Sequence, residues 1–211
     1  MNVTESMRAL TARFEVPCDD DAPWIRLESA RWLGDALRLR LRMRSEDREG
    51  DWSVTCAGVL QASLDGFWGD DLRVLTAPEH PLNAQFLGRS CQLYFKASTP
   101  LGPEAADTVA GALFAVHRER TEGHIPFERF LNLRIGLREL IASGDGLLAD
   151  GPRFLLEAYA DALERHGVRT NLSAPTDRRG EDDGARDGCA ALVIGEGVVV
   201  ARSFDAAAPD A

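Results

Sequence analysis

The first third of the chain alternates apolar and polar residues, and this period of two predicts half-buried β-strands. The pattern occupies three segments joined by short polar turns: 24–33 (WIRLESARWL), 36–44 (ALRLRLRMR) and 51–64 (DWSVTCAGVLQASL). We expect these segments to pair in chain order as an antiparallel meander. In the third segment the alternation changes phase at Ala57 and Gly58, and this change predicts a β-bulge at Gly58.

Apolar runs farther along the chain predict additional strands and a group of helices. Strand-like runs occupy 72–76 (LRVLT), 91–98 (CQLYFKAS) and 189–204 (CAALVIGEGVVVARSF). The last of these is broken by Gly-Glu-Gly, which predicts a hairpin whose strands rejoin the sheet. Apolar residues at the helical period predict helices over 103–123, 126–143 and 152–167.

Strands followed by segregated helices favour an α+β fold over a doubly wound parallel sheet. We expect a mostly antiparallel sheet, built from the N-terminal meander and the C-terminal hairpin, with about three helices packed on one face. The 211 residues suffice for one well-buried core, so we expect a single domain over residues 1–205. The polar composition of 169–188 predicts a mobile loop, and 206–211 are expected to form a disordered tail.

Arginines are concentrated in one strand of an otherwise acidic chain. The formal net charge is -10, from 34 acidic and 24 basic side chains. In segment 36–44 four apolar residues alternate with four arginines: Leu37, Arg38, Leu39, Arg40, Leu41, Arg42, Met43 and Arg44. We expect the apolar side chains to enter the core and the arginines to line the other face, where carboxylates on neighbouring strands can pair with some of them.

Cysteine usage and hydropathy bear on the compartment. The four cysteines show no short paired spacing, so we expect buried free thiols at Cys18, Cys56, Cys91 and Cys189. No run approaches the roughly 18 apolar residues of a membrane span, and the N-terminal segment lacks the apolar core of a secretion signal. We therefore expect a cytoplasmic protein without membrane contact. The scarcity of lysine relative to arginine is typical of a GC-rich bacterial source.

Common catalytic motifs are missing from the sequence. It contains no G-x-x-x-x-G-K-[ST] phosphate loop, no H-E-x-x-H, no G-x-S-x-G and no C-x-x-C. We expect no bound metal and no cofactor. A small enzyme remains possible if His80 and His117, or a carboxylate such as Glu128, meet in a cleft between sheet and helices for acid-base or metal chemistry. The spacing leaves open whether His80, His117 and His124 converge.

The sequence favours binding over catalysis, although it leaves enzymatic activity open. The leading hypothesis is a non-enzymatic cytosolic binding or regulatory protein, such as an acidic accessory subunit or an immunity-type inhibitor. Its partner is expected to be another protein, and the candidate binding residues are Arg38, Arg40 and Arg42. A further alternative is an anion or nucleic-acid binder that uses the strand of residues 38–44. Nucleic acid is the less favoured partner, because a net anion is repelled by the phosphate backbone.

Overall fold

The computed structural model describes residues 2–12, 14, 23–45, 48–78, 80–87, 90–173 and 188–208. The chain divides into two compact units. The large-sheet unit comprises Met1–Leu87 and Asp183–Ala211, and the small-sheet unit comprises Gly88–Asp182. Each unit contains its own antiparallel sheet and helices, which confirms the α+β class. The single domain over residues 1–205 stays a prediction.

The elements are named here in chain order. The strands are β1 (Asn2–Val3), β2 (Trp24–Leu33), β3 (Ala36–Ser45), β4 (Arg48–Ser63), β5 (Trp68–Gly69), β6 (Arg73–Leu75), β7 (Ser90–Lys96), β8 (Asp145–Pro152), β9 (Arg169–Leu172), β10 (Ala190–Ile194) and β11 (Gly197–Ala207). The helices are α1 (Glu5–Ala12), α2 (Pro81–Leu87), α3 (Pro103–Thr121), α4 (Leu137–Ser143) and α5 (Arg153–Arg165).

Seven strands of the large-sheet unit form one antiparallel sheet in the order β5-β2-β3-β4-β11-β10-β6, and β1 pairs in parallel with β11. Strands β2, β3 and β4 pair in chain order, as the predicted meander requires. Strands β10 and β11 form the predicted hairpin, and β11 pairs with β4. The N-terminal and C-terminal segments therefore build a single sheet.

This sheet is curled. The strands at its two ends, β5 and β6, follow one another along the chain. The buried ring of Phe67, just before β5, packs against Gly197 at the start of β11. In the turn between β10 and β11, Gly195 has a φ of 55°, and a Cβ atom there would overlap the carbonyl oxygen of Trp68. Only glycine fits this close approach of two backbones.

Apolar side chains fill the inside of the curl. On β3 the predicted alternation is observed: Leu37, Leu39, Leu41 and Met43 are at most 2% exposed. The arginines between them point to the other face. Helix α1 adds Met7 and Leu10 to the same core, and both are fully buried.

Strand β4 changes phase near its middle, as the sequence predicts. The pairing with β11 skips Leu60, which makes Leu60 the extra residue of a β-bulge. The bulge therefore lies two residues after Gly58. Gly58 itself has a φ of 61°, and the side chain of Arg202 lies against it, so this position requires a residue without a Cβ atom.

Helix α2 covers the β6 end of the sheet. The buried side chain of Asn83 donates from Nδ2 to the carbonyl oxygens of Leu75 and Ala77, each at 2.9 Å. These bonds occupy acceptors on the end strand and on the segment that leaves it. Because β6 is also short, this edge of the sheet offers little backbone for another chain to pair with.

The small-sheet unit has three antiparallel strands in the order β8-β7-β9. Cys91, Leu93 and Phe95 of β7 are buried in one core with residues of α3, α4 and α5, such as Leu113 and Tyr159. Three helices therefore pack on this sheet, whereas the sequence analysis placed them on the sheet of the N-terminal meander. The predicted strand 91–98 likewise belongs to this second sheet, as β7.

The segment predicted as one helix over 126–143 is divided. It contains a 3-10 turn at Phe127–Phe130 and, after an irregular stretch, helix α4. Within that stretch the backbone N–H of Asn132 donates to the carbonyl oxygen of Leu148 on β8 at 2.8 Å. Backbone pairing with a strand thus replaces the helical hydrogen bonds that the apolar period predicts.

Three segments form strands where the sequence predicts the interval between two helices, a loop and a tail. Strand β8 begins within the Ser-Gly-Asp-Gly sequence, and β9 occupies the start of the predicted mobile loop 169–188. Ala206 and Ala207, at the start of the predicted tail, belong to β11. Pairing with β7 or β4 orders these segments. Residues 174–187 and 209–211, which hold the rest of the loop and tail predictions, lie outside the described residues.

The inner position of Leu39 can be tested by truncation. Leu39→Ala leaves a cavity in the core, and we expect it to lower the free energy of unfolding by about 2–5 kcal/mol. Leu60→Ala is the matched control, because Leu60 is 39% exposed, and we expect a change of about 0.5 kcal/mol or less. Urea unfolding followed by tryptophan fluorescence measures both. Similar losses for the two variants would contradict the assignment of faces.

Candidate binding surface

The outer side of strands β2, β3 and β4 carries a surface that we call the arginine face. It is defined by six side chains: Arg26, Arg31, Arg38, Arg40, Arg42 and Arg44. The pleat explains their placement, because the residues that alternate with them on β3 are buried in the core. The side chains of Arg40 and Arg42 are 63% and 44% exposed. The predicted outward arginines are thus accessible from solvent.

Carboxylates on the same strands pair with part of this face. Three ion pairs join Arg26 to Glu28 at 2.5 Å, Arg40 to Asp51 at 2.5 Å and Arg42 to Glu49 at 2.6 Å. Six arginines and three carboxylates therefore occupy the described part of the face. The local charge is positive in a chain whose net charge is -10.

The bond to Arg40 fixes the charge of Asp51. The hydrogen bond from Arg40 holds the pKa of Asp51 below the ordinary value of 3.8, against the opposing effect of burial. Asp51 in turn raises the pKa of Arg40, and Glu49 raises that of Arg42. Because the folded-state pKa of Asp51 is lowered, its contribution to stability is present above the unfolded value and is lost as the pH falls through the lowered pKa. At neutral pH, Arg40 and Arg42 already hold carboxylates.

Two arginines at the β2–β3 hairpin differ from the others. Arg31 lies directly opposite Arg38 in the strand register, and both are exposed. Within the described residues, no carboxylate lies within ion-pair distance of either one. Like charges in directly opposite positions destabilise a sheet. Of the predicted binding residues, Arg38 is therefore available to an external anion, whereas Arg40 and Arg42 are engaged.

Arg31 was not among the predicted binding residues, because a bulge in β2 hides its position on the arginine face. The register between β2 and β3 shifts between Leu27 and Ser29. Arg26 and Arg31 consequently share one face, although a strict period of two would place them on opposite faces. The irregular spacing of polar residues in WIRLESARWL was the available signal.

Large apolar side chains are exposed at the same hairpin. Trp32 is 59% exposed and Leu33 is 48% exposed. Trp32 lies opposite Leu37, whose side chain is buried, so Trp32 belongs to the core side of the sheet and extends past its edge. The hairpin thus presents positive charge on one side and an exposed indole on the other.

His117 is a buried structural residue of the small-sheet unit. Its Nε2 donates to the carbonyl of Ile125 at 2.6 Å, and the hydroxyl of Tyr159 donates to Nδ1 at 2.7 Å. Burial raises the pKa of Tyr159, which keeps that hydroxyl protonated and able to donate. Both ring nitrogens are engaged, so His117 joins α3 to α5 and to the segment after α3. This arrangement leaves neither nitrogen open to a substrate.

His80 has a structural role in the large-sheet unit. It precedes Pro81, the first residue of α2, and its Nδ1 accepts the amide hydrogen of Leu82 at 3.3 Å. This is the position and bond of a helix N-cap, with proline at the first helical position. His80 and His117 belong to different units. Among the described residues, no group of three His, Cys, Asp or Glu side chains could hold a metal ion.

The outer face of the small sheet forms an open polar cleft of about 610 Å³. Lys96 and Arg169 line it together with Asp145, so charges of both signs are present. Tyr94 also lines the cleft, and its hydroxyl donates to Gln92 at 2.9 Å. The mixed charge gives this cleft no clear preference for an anion or a cation.

No family model, curated protein or solved structure matches this chain. In the ranges that the structure describes, no helix is long and apolar enough to cross a membrane.

The pairing of Arg40 with Asp51 can be measured through the carboxyl group. We expect Arg40→Gln to raise the pKa of Asp51 towards 3.8, because it removes the hydrogen bond that lowers it. Arg31→Gln is the control, since it changes the same charge on the same face without touching that bond. Carbon-detected NMR titration measures the pKa of Asp51 in both variants. A pKa of Asp51 that is insensitive to Arg40→Gln would contradict the pair.

Proposed function

We propose that this chain is a non-enzymatic binding protein that recognises an acidic partner protein through the arginine face. The observation that carries the proposal is the opposed pair of Arg31 and Arg38, exposed and without a carboxylate in the described structure. Such a pair costs stability in the isolated protein. A carboxylate supplied by a partner would relieve the repulsion and gain two charge-assisted hydrogen bonds.

The surroundings of this pair favour a protein over a nucleic acid. Trp32 and Leu33 expose apolar surface on the same hairpin, and exposed aromatic residues next to arginine are common anchors of protein interfaces. The net charge of -10 repels an extended phosphate polymer more than a compact acidic patch, because the charges of the polymer continue beyond the arginine face. A compact acidic patch on a protein satisfies both the local positive charge and the apolar surface. An acidic accessory or immunity-type protein with this surface would act by binding its target.

The catalytic alternative has less support. His117 has both ring nitrogens in buried hydrogen bonds, and Nδ1 of His80 caps a helix. A general base needs a nitrogen directed at a substrate. We also propose a cytoplasmic location, because Cys56, Cys91 and Cys189 are free buried thiols, which suit a reducing compartment.

Binding of a fluorescent poly-glutamate dodecapeptide, followed by anisotropy at low ionic strength, tests the proposal. We expect Arg31→Gln/Arg38→Gln to weaken binding by about fivefold or more, because it removes the uncompensated charge. Arg118→Gln/Arg120→Gln is the matched control, since it makes the same charge change at exposed positions of α3. That control is expected to bind like the unmodified protein.

Two outcomes would overturn the proposal. Equal weakening by the two double variants would show that only net charge matters. Tighter binding of an oligothymidylate with the same number of charges would assign the face to nucleic acid.

A further inference from the structure

Strand β2 is covered on its outer edge over only part of its length. Strand β5 pairs with it at Ile25 and Arg26, and the amide of Leu27 donates to Phe67 at 3.0 Å. From Glu28 to the end of β2, no described residue pairs with this edge. About 20 Å of strand is therefore open, and every second one of its six residues directs its backbone N–H and C=O away from β3.

The two ends of the sheet differ in this respect. At the other end, β6 is three residues long and Asn83 occupies its Leu75 carbonyl. The open part of β2 has no comparable cover within the described ranges, and after the bulge its pairing with β3 is regular from Ser29 to Leu33. A regular edge of this length is suited to pairing with an additional strand.

We propose that this edge binds an extended segment of the partner as an added β-strand with alternating acidic and apolar residues. The inference rests on the proposed function and specifies its partner. Successive side chains of an added strand point to opposite faces of the sheet. On the outer face they meet Arg31, with Arg38 behind it, and on the core side they meet Trp32. Carboxylates on one face and apolar groups on the other complement both.

Charge complementarity favours such a partner over a second copy of this chain. A second β2 edge would bring its own Arg31 next to the arginine face, so arginines would lie on both sides of the contact. A partner strand with carboxylates at every second position places them about 7 Å apart, the same spacing as alternate residues on β2. On the outer face of the open part of β2 the alternate residues are Ser29, Arg31 and Leu33, so one carboxylate of the added strand lies beside Arg31, with Arg38 of β3 behind it.

The first experiment compares three capped octapeptides of Glu and Val by isothermal titration calorimetry. One alternates the two residues, one has the same composition in two blocks, and one alternates but carries N-methyl groups on four successive residues. We expect the alternating peptide to bind about tenfold tighter than the block peptide. The N-methylated peptide is expected not to bind measurably, because its four methylated residues cannot donate to the edge and their methyl groups obstruct strand pairing.

The same titrations on variants locate the contact. Arg31→Gln/Arg38→Gln and Trp32→Ala are each expected to weaken the alternating peptide about tenfold, whereas Arg118→Gln/Arg120→Gln leaves it unchanged. The altered residues are exposed, and circular dichroism confirms that each variant is folded. Hydrogen exchange gives an independent readout: the peptide should protect amides of residues 28–33.

The outcomes separate this inference from the function on which it rests. If the block and N-methylated peptides bind as tightly as the alternating one, and Arg31→Gln/Arg38→Gln weakens all three, the contact is electrostatic only and strand addition is wrong. If the two double arginine variants bind every peptide alike, the proposed function itself is wrong. A dimer of the free protein that protects residues 28–33 would assign the edge to a second copy and overturn the inference.

Discussion

Burial of the apolar side of β3 is the constraint on which the surface of the large-sheet unit depends. Leu37, Leu39, Leu41 and Met43 close the inside of the curled sheet. Since successive residues of a strand point to opposite faces, this burial forces the intervening arginines outward. A slip of one residue would bury four guanidinium groups, so the register is strongly specified. The positive surface of this acidic protein is therefore a direct consequence of its core.

Closure of the same sheet explains why one edge remains open. The chain crosses from β5 to β6 between the two ends of the curl, and the close contact at Gly195 holds β5 there. Strand β5 is two residues long and therefore covers only the first part of β2. The hairpin beyond it, with Arg31 and Trp32, extends past the closed part of the sheet. Within the described residues, the open backbone edge and the arginines without an ion-pair partner thus coincide because both lie beyond the reach of β5.

Predictability followed the strength of the local pattern. The meander, the hairpin and the faces of β3 were predictable, because a strand buried on one side has apolar residues at every second position. The membership of β7 in a second sheet was not, since a strand's own sequence does not specify its neighbours. The irregular stretch around Asn132 and the polar strand β9 depend on backbone pairing with other strands, which leaves no apolar signature. Arg31 was missed for a related reason: the bulge before Ser29 breaks the period that assigns faces.

Native-state hydrogen exchange of the protein without any partner tests most directly whether β2 has an open edge. We expect every second amide of residues 28–33, those directed away from β3, to exchange within seconds to minutes at neutral pH and low temperature. The amides of Val198, Val199 and Val200 on β11, which is paired on both sides, should exchange orders of magnitude more slowly. Strong protection of all amides from 28 to 33 would show that the edge is covered, and would contradict the account.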